Sequence, residues 1–309
     1  MLKKKLPLAL PTNEDEFSQM MELVDEQLRL AGVQIPARSI EAWRVVSWSL
    51  GLGLSLFPSQ AFPRPGVFVG DDLTLRIFQW FKARYGQREA VDFGPGLVAI
   101  PIRGDLWSVR MPRGWGTVNY FASRTQRSTT PDYYLPRRIP PRINVLDQVL
   151  ELPDGLRNAL SDDELADFLS RFMSAFDAMS RLESVASLPM IFEARGDLAA
   201  AFRFLMSRPP HLGQARYAAM QASEKALKCF IQSRGEEFRR IHLIAELHQA
   251  AIQLGLTPID LSLIAELECS ANARYGQESS VPDQAYRACW LSLMTCGEVA
   301  KQLPRPEKP

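Results

Sequence analysis

The chain has 309 residues, of which 46% are hydrophobic and 23% charged, and its formal net charge is +1. That length can bury a full core and leaves room for two domains, while the near-neutral balance excludes a global electrostatic pull toward nucleic acid or an anionic membrane. The longest apolar run, Val45 to Phe57, is about 13 residues and contains Gly51 and Gly53, whereas a membrane-spanning helix needs roughly 18.

The N-terminal stretch is unlike a signal peptide. Pro7 and Pro11 interrupt its short apolar part and Glu14-Asp15-Glu16 follow, so a cytoplasmic location without membrane contact is expected. A helix is expected from Glu14 to Ala31, with Phe17, Met20, Met21, Val24 and Leu28 as its apolar stripe and Gly32 ending it. Pro36 opens a second helix through Ile40, Trp43, Val46 and Trp48, and the prolines between Phe57 and Gly66 mark a loop. Asp71-Asp72 reads as the cap of a third helix, Leu73 to Tyr85.

Strand character appears next. Gly96 to Ile102 and Leu106 to Met111 flank a hairpin turn at Arg103-Gly104-Asp105, and Thr117 to Phe121 reads as a third strand of an antiparallel meander. Further on, Ser161-Asp162-Asp163-Glu164 forms a capping box opening a long amphipathic helix through Leu165, Phe168, Phe172, Phe176, Met179 and Leu182. Five helices are then expected: Asp197–Met206, His211–Arg234, Arg240–Leu254, Thr257–Ala273 with Thr257 as N-cap, and Asp283–Leu303.

The fold class is therefore mainly α. An α+β domain with an antiparallel β-meander is expected over 1–144, a helical connector over 145–190, an antiparallel helical bundle over 191–303 and a disordered tail over 304–309. The four cysteines form no CxxC and have no histidine at metal-ligand spacing, so no metal and no cofactor are expected; Cys289 and Cys296, seven apart on one helix face, are expected to be buried thiols.

Local charge is uneven. Pro101 to Asn144 holds eight arginines against Asp105 and Asp132, and Val145 to Ser184 holds nine acids against three arginines. Arg110, Arg113, Arg124, Arg127, Arg137 and Arg138 interleave with Trp107, Trp115, Tyr120, Tyr133 and Tyr134. Such interleaving suits single-stranded nucleic acid, through phosphate contacts and base stacking, or a protein partner; two differently solvated surfaces are the simpler reading. Trp107 and Tyr120 also fit the core of the strands.

The C-terminal helices carry a resemblance. Gly196-Asp197-Leu198-Ala199-Ala200-Ala201, the stretch Arg216-Tyr217-Ala218-Ala219-Met220-Gln221-Ala222-Ser223-Glu224-Lys225-Ala226-Leu227-Lys228, His242 and the pair Arg274-Tyr275 together resemble the HEPN domain family over about 110 residues. Gly276 stands where the family usually has Pro, and Leu243 where it has an acid. The resemblance implies a helical bundle that forms a homodimer and serves as a non-catalytic nucleotide- or RNA-binding module in a prokaryotic defence or toxin–antitoxin system. Lys225, Lys228, His242, Arg274 and Tyr275 would line its binding groove.

Ribonuclease members carry Arg, four to six residues, then His. Arg234 precedes His242 with seven residues between, so Arg234 and His242 are catalytic candidates only for an irregular, metal-independent endoribonuclease. A dimerising protein-interaction module is the third reading. From the residues alone, Tyr217, Met220, Ala222, Ala226, Leu227 and Phe230 are core. Arg216, Glu224, Lys225 and Lys228 form a more polar side, with Glu224–Lys228 an i,i+4 pair. His248 is a surface or core histidine.

Overall fold

The computed structural model describes residues 5–56, 58–89, 95–112, 117–129, 140–238 and 243–304. The chain divides into two compact units, Met1–Asp92 and Phe93–Pro309.

The first unit holds three helices, α1 (Glu14–Leu30), α2 (Ile35–Leu50) and α3 (Gly70–Tyr85). The Asn13 side chain caps α1 by accepting from the Glu16 N–H, and acids fill the first turn, where the helix dipole favours them. Gly51, at φ 66°, ends α2 in the left-handed conformation that glycine adopts without strain. Met21, Val24, Leu28, Leu73, Ile77 and Phe81 are fully buried at the centre.

Asp71 and Asp72 do not cap α3, because the helix begins at Gly70 with Val69 in the cap position. They tie the proline-rich loop onto the helix instead. Asp71 accepts from the Ser59 N–H and hydroxyl, and Asp72 accepts from the Gln60 amide and from the Arg64 N–H and guanidinium. The Arg64 guanidinium and then its backbone N–H hold the Asp72 carboxyl well below its ordinary range.

The second unit opens with a hairpin of β1 (Gly96–Ile102) and β2 (Asp105–Met111). Its two-residue turn is Arg103–Gly104, with φ of 53° and 88°, the primed geometry that matches strand twist. The expected meander does not form. β3 (Asn119–Phe121) pairs in parallel with β4 (Arg142–Asn144), so its partner is distant in sequence. A turn at Val145–Gln148 and α4 (Asp154–Ala159) lead to α5 (Asp162–Ser184), capped by the reciprocal Ser161–Glu164 box.

α5 is part of the bundle rather than a connector. It packs against α11 (Pro282–Gln302), and at Gly297 the two backbones come so close that a Cβ would lie 2.6 Å from the Ala178 Cβ. β1 packs on α5 and on α6 (Pro189–Leu205), burying Val98 and Ile100, while Val109 and Met111 of β2 join the same core. The unit boundary therefore falls at 92/93 instead of 144/145: the apolar face of the hairpin is satisfied by the helical core.

α6 begins at Pro189, well before the expected Asp197, because proline suits the first helical turn and Gly196 does not break the helix. α7 (Leu212–Ser233) packs between α6 and α11, and α8 (Ile244–Gln253) lies against it. The expected helix Thr257–Ala273 is broken into α9 (Leu261–Ala265) and α10 (Ala271–Arg274). The Thr257 N–H donates to Gln302 and the Ile259 N–H to His248 Nε2, so tertiary acceptors hold a stretch that local signals mark as a helix start.

Cys229, Cys289 and Cys296 are buried, and burial pushes the last two thiols up to about 12. No helix among the described residues is long and apolar enough to cross a membrane.

Candidate functional site

The N-terminal half of α7 is built for close approach. Gly213 has no Cβ where one would lie 2.1 Å from the Ala273 carbonyl oxygen, so α10 presses directly on the α7 backbone. Three residues on, the Arg216 side chain is buried. Its Nη1 donates to Glu278 at 3.3 Å and Ser280 Oγ at 3.2 Å, and its Nη2 to the Glu268 carbonyl at 3.2 Å. Ser270 caps α10 and donates its hydroxyl to Glu278 at 2.6 Å. That hydroxyl first, and the Arg216 charge after it, lower the Glu278 carboxyl from its ordinary range.

One buried guanidinium thus fixes the segment from Glu268 to Ser280, and that segment presents Arg274 and Tyr275. Arg274 lies over the Tyr217 ring at 5.6 Å and near the Tyr275 ring at 5.9 Å, both within cation–π range. Tyr275 is 71% exposed. Among the described residues Arg274 meets no carboxylate.

The other candidate cations are placed elsewhere. Lys225 is eight residues beyond Tyr217, about 12 Å of helix rise. Its ammonium lies 2.6 Å from Asp197, while that of Lys228 lies 2.6 Å from Glu224 and 5.3 Å from the centre of the Phe238 ring. Both lysines line a groove of 670 Å³ walled by Pro189, Met190, Phe192 and Phe238. The Glu224–Lys228 pair is not a surface pair. Its side chains are only 7% and 11% exposed, and with Arg216 also buried, the polar side expected of this helix is largely interior. The five expected groove residues therefore do not form one constellation. Lys225 and Lys228 share one groove, Arg274 and Tyr275 stand at another place, and His242 lies outside the described residues.

Arg234 donates to the Gln302 carbonyl at 3.3 Å and lies over the Phe230 ring, which ties it to the end of α11. His248 is a core histidine. It is fully buried, its Nε2 accepts from Ile259, its Nδ1 has no partner, and burial lowers its pKa.

The arginine-rich stretch meets the acidic stretch that follows it. Arg103 pairs with Glu164 at 2.7 Å, Arg124 with Asp162, and Arg127 with Asp147 at 3.1 Å and Asp154 at 3.0 Å. Arg110, exposed on β2, is engaged as well. Trp107 packs on the core and Tyr120 sits between Phe172 and Phe176, so neither ring is a free stacking platform. Arg113, Arg137 and Arg138 lie outside the described residues. Arg103, Arg124 and Arg127 are thus matched by acids of the following stretch, and Arg124 and Arg127 do not form an uncompensated basic surface.

No family model, curated protein or solved structure matches the chain.

Sequence reasoning missed two residues on which this geometry depends. Arg216 appeared as one of several polar positions, although an arginine flanked by Ala215, Ala218 and Ala219 on a closely packed helix has few places to go except inward. Gly213 had no visible signal beyond its type, since its contact with Ala273 is set by tertiary structure alone.

Proposed function

We propose that this protein binds nucleotide or RNA through Arg274, Tyr275 and Tyr217 and does not cleave it, as a HEPN-like homodimeric module of a prokaryotic defence or toxin–antitoxin system. The observation that carries the reading is the Arg274 guanidinium, which meets no carboxylate among the described residues and stands beside two tyrosine rings, one of them largely exposed. A guanidinium takes a phosphate through paired N–H donors, and a neighbouring aromatic ring stacks on a base. Lys225 and Lys228 are already paired with acids and add little net attraction. Against cleavage stand the missing Arg-to-His spacing and the engagement of Arg234 with α11. Retention of a labelled single-stranded RNA at low salt by the wild type, lost in Arg274→Ala without change in melting temperature, tests the reading.

A protein-interaction module is the second reading. It is favoured by Phe192, which is 64% exposed and forms part of the groove beside Lys225 and Lys228. A dimer that dissociates in Phe192→Ser, with RNA retention absent throughout, would favour it over the first.

A further inference from the structure

Far from Arg274 in sequence, β2 leaves part of its backbone edge open. Val109 bridges Val149 in antiparallel register, and the Leu150 N–H donates to the Ser108 carbonyl at 2.8 Å, so the outer edge of β2 is covered at this point. Continued register would set Leu152 beside Leu106. It does not continue, because Glu151 takes a φ of 58°. A non-glycine residue in that left-handed conformation costs about 1–2 kcal/mol and turns the chain off the strand edge. Backbone groups of alternate residues in an antiparallel pair face opposite edges, so the N–H and carbonyl of Leu106, like those of Ser108, point away from β1.

The edge faces a cavity of 720 Å³, within the range of small-molecule sites, about 300–1,000 Å³. Leu205, Met206 and Leu212 give it an apolar wall. Three charged side chains also line it, Asp105 and Glu151 from the hairpin side and Arg208 from the turn between α6 and α7. Among the described residues none of these three has an ion-pair partner, in contrast to Arg103, Arg124 and Arg127 nearby in the sequence. Trp107 also lines the cavity, and its indole N–H is buried without an acceptor among the described residues.

We infer that this cavity is a binding site for a short zwitterionic peptide with apolar side chains. The peptide's amide pairs with the open edge at Leu106, its ammonium meets Glu151 and Asp105, its carboxylate meets Arg208, and its side chains rest on Leu205, Met206 and Leu212. This is strand addition on a small scale, with backbone pairing giving affinity and the two charged ends giving direction. The inference is independent of the Arg274 site.

The test is calorimetric titration of the full chain with L-leucyl-L-leucine and with N-acetyl-L-leucinamide, which lacks both charged ends. The expected result is saturable binding of the dipeptide, at least tenfold weaker in Arg208→Ala and in Glu151→Gln, and none of the neutral amide. Because both positions are exposed, melting temperatures should be unchanged and the loss can be read as binding. The Trp107 indole resonance, assigned by its absence in Trp107→Phe, should shift on titration. No dipeptide binding, equal binding of the neutral amide, or undiminished binding by both variants would overturn the inference.

Discussion

Arg216 and Glu278 are 62 residues apart in sequence and 3.3 Å apart in the fold, and their contact holds the segment that presents Arg274 and Tyr275. Arg216 is a positioning residue. It touches the scaffold of the candidate site and leaves the exposed tyrosine to meet a ligand. Hydrogen bonds to charged groups are worth about 1.5–3 kcal/mol each, so Arg216→Ala should destabilise the second unit by about 2–3 kcal/mol. It should also raise hydrogen exchange in 268–280 above that in α5. Chemical denaturation and exchange mass spectrometry check both.

Gly213→Ala tests the same segment from the other side. The added Cβ meets the Ala273 backbone oxygen at 2.1 Å, where no side-chain rotation relieves it, so α10 must move. The expected cost is about 1–3 kcal/mol, as for other overpacked contacts. RNA retention should weaken in Gly213→Ala even though no ligand-facing side chain has changed.

Gly297 provides a control away from the site. Gly297→Ala should destabilise by about 1–3 kcal/mol through the Ala178 contact, while leaving RNA retention at wild-type level. The pair should be coupled: Ala178→Gly removes the Cβ that the new methyl strikes, so the double variant should recover part of the loss, as read in a thermodynamic cycle.

Asp147 and Glu164 both make stability fall at acid pH. Burial pushes the Asp147 carboxyl up, but the Ser128 N–H and the Arg157 guanidinium, followed by the Ser128 hydroxyl and Arg127, outweigh it and hold the group at about 2. Glu164 is held at about 2 as well, by Arg103 and then the Ser161 N–H. Depressed carboxylates bind fewer protons in the folded state than in the unfolded one. Their contribution is therefore complete above the ordinary carboxylate range, near pH 4, and is lost as pH falls toward about 2. Asp147→Asn should flatten that loss and lower stability at neutral pH by about 2 kcal/mol, since it strands the buried Arg157.

His248 acts at higher pH. Burial lowers its pKa from 6.5, so the unfolded state takes the proton first and stability declines as pH drops below 6.5. His248→Gln retains an acceptor for the Ile259 N–H and should remove this step from a plot of melting temperature against pH, leaving the acid step of Asp147 and Glu164 in place.

What the sequence made legible was mostly local. The Ser161–Glu164 box, the Arg103–Gly104 turn and Gly32 just beyond α1 carry their own chemistry over a few residues, and each stands where expected. Pairing over distance was not legible. β3 pairs with β4, which is distant in sequence, and the Thr257–Pro258 helix start is overridden by acceptors on His248 and Gln302. The arginine and acid blocks were visible as composition, but their mutual neutralisation depends on Arg103, Arg124 and Arg127 meeting the start of α5 and the loop before it. In the candidate site Arg274 and Tyr275 were legible as a pair, and the tertiary fold added Tyr217 beneath them and moved Lys225 and Lys228 to a different groove.

The most direct measurement is fluorescence anisotropy of a labelled single-stranded RNA, at about 50 mM salt because phosphate contacts weaken steeply as salt rises. A binding site at Arg274 and Tyr275 predicts saturable binding that weakens at least tenfold in Arg274→Ala and in Tyr275→Ala, persists in His242→Ala, and leaves the RNA intact on a gel. Absence of binding by the wild type, or cleavage that disappears in His242→Ala, would contradict it.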